Sequence, residues 1–381
     1  MNDAAADPES AGRVAALADR AAQAGVAAVL IGPGADLAYL LGHSIGSHER
    51  LTCLVVPAAE PSWLLVPALE RPGWEPLLAG ASAAGPGVGG LTAVSWLDGA
   101  DPHAMLADRL PPGVWAVDDH LPYGHARRIC DAGSPGGVVL AGGLLADLRM
   151  RKSPAEVLEL ASIGAAIDRV HRDMGRWLRA GRTEHEVAAD IAAAMLADGH
   201  TRADFVIVGS GPNGASPHHE ASHRIIEPGD VVVVDIGGPG EAGYFSDCTR
   251  TYRVAGRDPD PDASRVHALV EAAQRAGVAA VTPGVSAESI DAAARSVIAD
   301  AGYGEYFITR TGHGIGLEVH EEPYLVAGNR QLLEPGMAFS IEPGIYLPGR
   351  FGVRIEDIVV VGENGARLMN DAPRALHVVG G

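Results

Sequence analysis

Two stretches of this chain each place two carboxylates in apolar, strand-like sequence. The later stretch, EPGMAFSIEPGIYLPGRFGVRIED, contains Glu342 and Glu356, and the earlier one, EPGDVVVVDIGGPGEAGYFSDCTRTY, contains Asp235 and Asp247. A lone charge rarely lies in such a setting, because burying it without a partner is costly. Two acids that face each other across a hairpin would repel unless a cation lay between them. The pattern predicts a chain built to hold a metal pair between two acidic hairpins.

Both stretches belong to a longer internal repeat. In each, a Glu-Pro-Gly tripeptide ends six residues before the first acid, at Gly229 and at Gly336. Each stretch also follows two helical segments, a longer one and one bounded by glycines 18 residues apart. These segments are 154–179 with 181–199 in the first half, and 262–280 with 284–302 in the second. Matching lengths and offsets favour an ancient duplication, whose two α-α-β-β halves would gather four carboxylates around a pseudo-two-fold axis.

The first 150 residues have a different pattern. Apolar runs of strand length alternate there with helical stretches and Gly/Pro-rich turns, which is typical of an α/β domain. A second domain is predicted to begin just after, because Ser153, Pro154 and Glu156 form a capping box with proline at the first helical position. A length of 381 residues fits two domains, 1–150 and 151–381. The predicted strands of the first domain are 26–31, 51–57, 62–67, 91–96 and 114–119.

Composition and charge argue against several classes of protein. A formal net charge of -19 disfavours nucleic acid and anionic membranes as partners. The three cysteines, Cys53, Cys130 and Cys248, include no CxxC pair, which is not the pattern of a disulfide framework and favours a reducing cytoplasm. The N-terminus lacks the basic and apolar regions of a signal peptide, and no apolar run approaches the ~18 residues of a membrane span. We therefore expect a cytoplasmic protein.

The acidic residues predict a binuclear centre. Four carboxylates carry a formal charge of −4, which two divalent ions would neutralise. A set of hard oxygen ligands with few nitrogens and no thiolate suits Mn²⁺, Co²⁺, Fe²⁺ or Zn²⁺ in such a centre better than a structural zinc. His313, in TRTGHGIGLEVHEEP, is the predicted nitrogen ligand, since its glycine neighbours let the backbone approach closely. His320, seven residues later, is expected near the substrate.

Three further features near the acidic stretches are candidates for the site or its surroundings. His218 and His219 lie in a loop of small residues just before the first stretch, and one of them is a candidate for a role at the metal centre. Arg354 would share a strand face with Glu356 and could hold a metal-bound carboxylate through a bidentate bond. Cys248 would point to the opposite face from the acid that precedes it, which predicts a core thiol.

The motifs VVVVDIGG, YFSDCTRTY, TGHGIGLEVHE, FSIEPGIY and GVRIED occur in this order and spacing. The chain thereby resembles the proline-specific pita-bread metallopeptidases, the Xaa-Pro dipeptidases (prolidases) and aminopeptidase P, over nearly its whole length. The resemblance implies an α+β pita-bread (creatinase/aminopeptidase) domain with an internal pseudo-two-fold repeat, preceded by an α/β creatinase/prolidase-type N-terminal domain. It also implies five metal ligands, namely Asp235, Asp247, His313, Glu342 and Glu356.

The resemblance assigns a role to each of these five residues. Asp247 and Glu356 match ligands that bridge the two ions. Asp235 matches a bidentate ligand of one ion, and His313 and Glu342 match ligands of the other. All five are present, as expected for an active enzyme. Mn²⁺ is the expected ion, with Co²⁺, Zn²⁺ and Fe²⁺ as alternatives.

Three more positions acquire roles from the resemblance. His218 matches a loop histidine that contacts the substrate, His320 matches one that assists substrate binding and oxyanion stabilisation, and Arg354 matches an arginine behind the ligands. The implied mechanism is attack by a metal-bridging hydroxide on the carbonyl before proline, with Glu342 carrying a proton to the prolyl nitrogen. The expected substrate is a dipeptide or short peptide with proline at its second position. The expected assembly is a homodimer, which is common in the family.

Several alternative functions fit part of the pattern. A methionine aminopeptidase usually lacks so large an N-terminal domain, a creatinase-type relative dispenses with the metal, and a peptidase-like binding module, as in some histone chaperones, has lost ligands. An Xaa-Pro aminopeptidase acting on longer peptides stays open beside the favoured Xaa-Pro dipeptidase. The choice depends on whether the cleft is closed beyond the proline carboxylate. Arg50, in a loop of the first domain with His43 and His48, is a candidate anchor for that carboxylate.

Overall fold

The computed structural model describes residues 8–42, 49–83 and 91–380. The chain divides into two compact units, Met1–Arg149 and Met150–Gly381. The expected architecture is confirmed, with a layered α/β arrangement in the first unit and a duplicated α+β arrangement in the second. No helix within the described ranges is both long enough and apolar enough to cross a membrane.

The described part of the first unit contains six strands and six helices. The strands are β1 (Val26–Ile31), β2 (Cys53–Pro57), β3 (Trp63–Pro67), β4 (Thr92–Trp96), β5 (Val114–Val117) and β6 (Gly137–Leu140). The helices are α1 (Pro8–Gln23), α2 (Ala35–Leu41), α3 (Arg71–Ala83), α4 (Pro102–Ala107), α5 (Tyr123–Gly133) and α6 (Gly142–Arg149).

These strands form one sheet in the order β4-β3-β2-β1-β5-β6. The pairs β1–β2 and β2–β3 are antiparallel, and the other neighbours run parallel. All five predicted strands are present. The sequence pattern does not indicate β6, because this strand has four residues, glycines on both sides and three exposed apolar side chains. His43 and His48 lie outside the described residues.

The described part of the second unit contains four α-helices and eleven strands. The helices are α7 (Pro154–Arg172), α8 (Glu184–Ala197), α9 (Ala263–Ala280) and α10 (Ala287–Asp300), with short 3₁₀ helices at Met174–Arg176, Gly211–Ala215 and Gly304–Tyr306. The strands are β7 (Phe205–Ser210), β8 (Val231–Pro239), β9 (Phe245–Val254), β10 (Gly312–Gly314), β11 (Glu321–Leu325), β12 (Ala338–Ile341), β13 (Gly344–Leu347), β14 (Phe351–Arg354), β15 (Asp357–Gly362), β16 (Gly365–Leu368) and β17 (His377–Val379).

Helices α7 and α8 both begin at capping boxes. The Ser153 hydroxyl accepts a hydrogen bond from the N–H of Glu156, whose carboxylate accepts one from the N–H of Ser153. Thr183 and Glu186 repeat this exchange at α8. The predicted start of α7 is therefore confirmed. Its predicted length is wrong, because α7 ends at Arg172, where a tightened last turn leads into a 3₁₀ helix.

The hydrogen bonds of the second unit repeat between its two halves. Gly181 donates to the carbonyl of Ile226 at 2.9 Å, and at the equivalent place Gly284 donates to the carbonyl of Leu333 at 2.8 Å. In both halves the N-cap residue of the shorter helix also forms an antiparallel bridge two residues before the Glu-Pro-Gly turn. These contacts tie each helix start to the turn that precedes the acidic strands. They confirm the predicted internal repeat.

The strands of the two halves form separate sheets. The first half contributes β7, β8 and β9, with β17 parallel at the edge. The second half contributes a sheet in the order β11-β10-β12-β15-β16 and the two-stranded pair β13-β14. Apolar side chains of α7 and α8 pack against the first sheet, and those of α9 and α10 pack against strands of the second half. Each half therefore has its own helical layer.

Candidate metal centre

The first acidic hairpin is an unbroken pair of strands, β8 and β9. Asp235 lies opposite Thr249, and Asp247 lies opposite Gly237. Because alternate residues of a strand share a face, both carboxylates and Thr249 lie on one side of this hairpin. The two aspartates therefore stand diagonally on one surface.

The second acidic hairpin is interrupted where its acids occur. β12 pairs with β15 and β13 pairs with β14, and a single register runs through both pairs, which sets Glu342 opposite Glu356 as predicted. The strand-like setting predicted for the two glutamates is wrong, because both lie between strands rather than within them. One physical reason is Pro343, which follows Glu342 and has no N–H to donate to the ladder.

His313 lies between the two hairpins, on β10. Its backbone N–H donates to the Ser340 hydroxyl at 3.1 Å, and its Nδ1 is 3.1 Å from the carbonyl oxygen of Gly314. Since a carbonyl only accepts, Nδ1 is a donor here, and Nε2 is the ring nitrogen that bonds a carboxylate when it carries a proton and would ligate a metal once that proton is lost. Nε2 is 3.2 Å from Oε1 of Glu342 and 3.6 Å from Oδ2 of Asp247. The predicted close approach holds, because a Cβ at Gly314 would collide with the backbone of β11.

Four carboxylates and one imidazole thus form a group that we call the acidic cluster, made of Asp235, Asp247, His313, Glu342 and Glu356. Donor atoms of Asp247, His313 and Glu356 all lie within 4.8 Å of one another. Oδ1 of Asp235 and Oε1 of Glu356 are buried and have no hydrogen-bond partner among the described residues. Unpartnered buried polar atoms are rare. Two such oxygens in a set of hard donors fit a site for divalent cations.

The electrostatics of the acidic cluster agree with this interpretation. Burial and the charges of Glu356 and Asp235 raise the pKa of Asp247 well above its usual value. Burial and the charges of Glu342 and Asp235 do the same to the pKa of Glu356. In Glu342 the effect of burial is outweighed by the hydrogen bond and charge of His313, so its pKa is lowered. Ionised carboxylates this close are stable together only when cations offset them.

Arg354 and Thr249 link the two hairpins. Arg354 donates from Nη2 to Oδ2 of Asp235 at 2.7 Å, from Nη1 to the Tyr346 hydroxyl at 2.8 Å, and from Nε to the Thr249 hydroxyl at 3.1 Å. The Thr249 hydroxyl in turn donates to Oε2 of Glu356 at 2.7 Å. Arg354 therefore holds a carboxylate, as predicted. The predicted bidentate bond is wrong, because its other nitrogens are engaged elsewhere.

His320 and His218 lie near the acidic cluster without belonging to it. The ring of His320 meets the ring of His313 edge-on, with centroids 4.2 Å apart. Partial burial of the imidazole and the nearby charges of His313 and Arg310 lower the pKa of His320 to about 4, which keeps this ring neutral at pH 7. His218 is exposed on the loop that follows the 3₁₀ helix Gly211–Ala215, and its charge also acts on His320. The residue before His218, Pro217, accepts a hydrogen bond from Nη1 of Arg354 at 3.3 Å, which places this loop beside the acidic cluster.

Glu184 holds the loop that carries His218, and sequence reasoning missed it. Its side chain is fully buried at the start of α8 and accepts hydrogen bonds from four residues, Ser210, Asn213, His219 and Ser222. These bonds outweigh burial and lower the pKa of Glu184 to about 2. His219 is thereby committed to this network. The sequence did offer one signal for Glu184, which is a difference between the two halves. Ala287 occupies the position in the second half that Glu184 has in the first.

Arg50 is paired within the first unit. Its Nε and Nη2 each donate to the Asp98 carboxylate at 2.9 Å, and its Nη1 donates to Glu49 at 2.7 Å. A substrate carboxylate would have to compete with these two acids, so its anchoring role stays a prediction. Cys248 is fully buried among apolar side chains, which confirms the predicted core thiol.

A duplicated α-α-β-β unit that gathers four carboxylates and a histidine is the arrangement of a pita-bread metallopeptidase. Residues 159–363 match Metallopeptidase family M24, and residues 13–151 match the Creatinase/Prolidase N-terminal domain. The chain belongs to metallopeptidase family M24. This membership makes it a metallopeptidase that uses divalent metal ions, and the acidic cluster supplies groups that could hold them.

Three relatives show how closely the chain resembles known members. It is 50% identical to the probable dipeptidase PepE of Mycobacterium tuberculosis, with 96% of both chains covered. The crystal structure of dipeptidase PepE from Mycobacterium ulcerans superposes with a TM-score of 0.90 at 51% identity, covering 100% of both chains. The Xaa-Pro dipeptidase of Lactobacillus helveticus is 34% identical, with 90% of this chain and 92% of the relative covered. The family resemblance inferred from the motifs is confirmed.

Proposed function

We propose that this protein is an Xaa-Pro dipeptidase, which hydrolyses the peptide bond before the proline of a dipeptide. The observation that carries the proposal is the convergence of four carboxylates and His313 on one buried group that contains two unpartnered oxygens. The relatives support the substrate class. One that is 34% identical bears the name Xaa-Pro dipeptidase, and one that is 50% identical bears the name probable dipeptidase.

The acidic cluster would hold two divalent ions, and we propose Mn²⁺ because hard oxygen donors dominate the set. Asp235, Asp247, His313, Glu342 and Glu356 would hold these ions. The orientation of His313 supports this assignment, since Nδ1 donates to a carbonyl and Nε2 faces the carboxylates. When bound, the ions would supply an activated water and polarise the scissile carbonyl.

The chain's own residues would bind the substrate and move a proton. The Glu342 side chain is 17% exposed whereas Glu356 is buried, so Glu342 is the better carrier of a proton from the attacking water to the prolyl nitrogen. The neutral ring of His320 can donate a hydrogen bond to the developing oxyanion. His218, exposed on its loop, would contact the substrate, and Arg354 would fix a ligand carboxylate in position.

We propose the same domain division as the sequence suggests, 1–150 for the N-terminal domain and 151–381 for the catalytic domain. The family matches support it, since one ends at residue 151 and the other begins at residue 159. A homodimer and a cytoplasmic location complete the proposal. The location is supported by three free thiols, at Cys53, Cys130 and Cys248.

Turnover of defined peptides by the metal-loaded protein tests the proposal. We expect the full chain, reconstituted with Mn²⁺, to bind about two ions and to release proline from Ala-Pro and Gly-Pro, with Ala-Ala as the control dipeptide. Elemental analysis measures the ions, and amino-acid analysis measures the release. Hydrolysis of longer Ala-Pro peptides with little activity on Ala-Pro would favour an Xaa-Pro aminopeptidase. Failure to cleave any Xaa-Pro peptide with both ions bound would exclude the proline-specific assignment.

A further inference from the structure

Arg310 is a half-buried cation three residues before His313. Within the described part of the chain it forms no ion pair and no hydrogen bond, and its guanidinium lies over the ring of Tyr324, 4.6 Å from the centroid. A cation–π contact uses the face of the ring and none of the five N–H donors of the guanidinium. These donors therefore stay available to a ligand.

Other arginines that could serve a substrate are already committed. Arg354 bonds a cluster carboxylate, a phenol and a hydroxyl. Arg295, on α10, bonds both oxygens of Asp291 and two carbonyls of the segment that leads to β10. Arg50 is held by two acids of the first unit. Arg310 has no such partner in the ranges that the structure describes.

The backbone fixes Arg310 beside the acidic cluster. The next residue, Thr311, donates its N–H to the carbonyl of Leu325 at 3.1 Å, and its carbonyl accepts the N–H of Glu342 at 2.8 Å. These two bonds hold the start of β10 between β11 and the second acidic hairpin. The Tyr324 ring under the guanidinium lies on β11, next to Leu325, which pairs with Gly312 of β10. The guanidinium therefore lies beside the strand that carries His313, in the space next to the acidic cluster.

A dipeptide brings a carboxylate to that space. The C-terminal carboxylate carbon of Xaa-Pro is only two bonds from the scissile nitrogen, whereas a longer peptide has a neutral amide there. The carboxylates of the acidic cluster would repel a free carboxylate unless a cation met it. An arginine can meet it with two parallel N–H···O bonds, which gives both charge and a fixed orientation.

We propose that Arg310 binds the C-terminal carboxylate of the substrate and thereby selects dipeptides over longer peptides. The assignment rests on the proposed Xaa-Pro dipeptidase function and gives Arg310 the role that the sequence suggested for Arg50. The Tyr324 ring restricts the guanidinium before the substrate arrives, so less conformational entropy is lost on binding.

A comparison of Ala-Pro with Ala-Pro-amide tests this role, because the two substrates differ in the carboxylate alone. In the Mn²⁺-loaded Arg310→Gln variant, kcat/KM for Ala-Pro is expected to fall about 10- to 100-fold, mainly through KM. The value for Ala-Pro-amide should change less than about threefold, because this substrate offers Arg310 no charge. The matched control is Arg330→Gln, an exposed arginine after β11, which should leave both substrates within about twofold of wild type.

Product inhibition gives a readout that does not depend on turnover of the amide. Inhibition by proline should weaken in Arg310→Gln about as much as Ala-Pro binding, while inhibition by prolinamide should not change. Arg310→Lys keeps the charge without the fork and should recover part of the loss, and it serves as the test if thermal unfolding shows that the glutamine variant is misfolded. Equal losses on both substrates, or unchanged hydrolysis of Ala-Pro, would overturn the role of Arg310. A wild-type protein that cleaves no Xaa-Pro peptide would instead overturn the proposed function.

Discussion

In the first half of the catalytic unit the acidic hairpin is continuous, and Asp235 and Asp247 stand diagonally on one face. In the second half the strands part at the acids, and Glu342 and Glu356 stand directly opposite each other. The first pair lies within regularly paired strands. The second pair lies between strands, and one member, Glu342, has a side chain that is 17% exposed. A repeated sequence has thus produced one pair of acids within regular strands and one pair whose backbone lies between strands.

The halves also differ at the position of the nitrogen ligand. Strand pairing sets Gly209, on β7, in the place that His313 has on β10. A Cβ at Gly209 would lie 3.0 Å from the Cα of Gly214, because the turn that leads to the His218 loop packs there. One half therefore uses this place to pack the turn before the His218 loop and the other for an imidazole, which makes the two halves unequal around the acidic cluster.

The largest expected effect comes from removing one acid from either half. Asp247→Asn and Glu356→Gln each take away a carboxylate that the acidic cluster needs to hold two ions. Each is expected to lower kcat/KM for Ala-Pro by about 1,000-fold or more and to reduce bound metal, as measured by steady-state kinetics and elemental analysis. Asp300→Asn, an exposed acid at the end of α10, is the control and should change neither. A variant in one half that kept normal metal content and activity would show that the halves do not contribute jointly.

An intermediate effect is expected from the hydroxyl that links the halves. In Thr249→Val, Glu356 loses a donor and Arg354 loses an acceptor, so Mn²⁺ affinity should fall about 10- to 100-fold. Ser340→Ala, within the second half, removes the bond to Glu342 and the acceptor of the His313 N–H, and should cost about tenfold or less. Calorimetric titration with Mn²⁺ measures both. If Ser340→Ala lowered Mn²⁺ affinity more than Thr249→Val, the contact between the halves would not be the more important support of metal binding.

The smallest expected effect on activity concerns the His218 loop, which the second half lacks. Glu184→Gln is expected to lower the free energy of unfolding by about 1–3 kcal/mol at pH 7, because an amide nitrogen cannot accept the bonds that the carboxylate accepts. Since folding lowers the pKa of Glu184 from 4.5 to about 2, its contribution is present above pH 4.5 and is lost as the pH falls towards 2. Denaturant unfolding at several pH values should therefore show the difference shrinking in acid, with kcat/KM reduced only a few-fold at pH 7.

Glu186→Gln is the matched control for this measurement. Glu186 lies two residues further along α8, is exposed, and serves the capping box with Thr183 rather than the loop. Its substitution should cost about 1 kcal/mol or less and leave kcat/KM unchanged. A stability difference in Glu184→Gln that stayed constant with pH would contradict the role given to the Glu184 carboxylate.

The sequence predicts three members of the acidic cluster from local patterns, and the other two, Asp247 and Glu356, from their pairing with the first acid of each hairpin and from the family resemblance. The Glu-Pro-Gly spacing marks the first acid of each hairpin, and glycines on both sides mark His313. The structure brings these residues together, since the predicted repeat is real and Arg354 and Thr249 join the two hairpins. Local signals of this kind can be recognised in the sequence, because they depend on the geometry of a few neighbouring residues.

Residues whose importance depends on tertiary contacts escaped prediction. Glu184 reads as an ordinary first-turn acid, and its partners lie up to 38 positions away. In the sequence, Arg310 looks like an ordinary polar residue near a glycine-rich motif. Its proposed role depends on the lack of an ion-pair partner among the described residues, which only the structure reveals. The early end of α7 and the parting of the second hairpin are likewise decided by packing and by Pro343, which compete with the periodic pattern.

The bonds that join the hairpins have a consequence for synthesis of the protein. Arg354 contacts Asp235 across 119 positions, and Thr249 contacts Glu356 across 107. At a translation rate of about 5–20 residues per second, roughly 6–25 seconds separate the appearance of Asp235 from that of Glu356. A ribosome-bound chain that has reached the end of β9 therefore carries only Asp235 and Asp247 of the acidic cluster. The set of metal-binding groups is complete only when the second hairpin has docked.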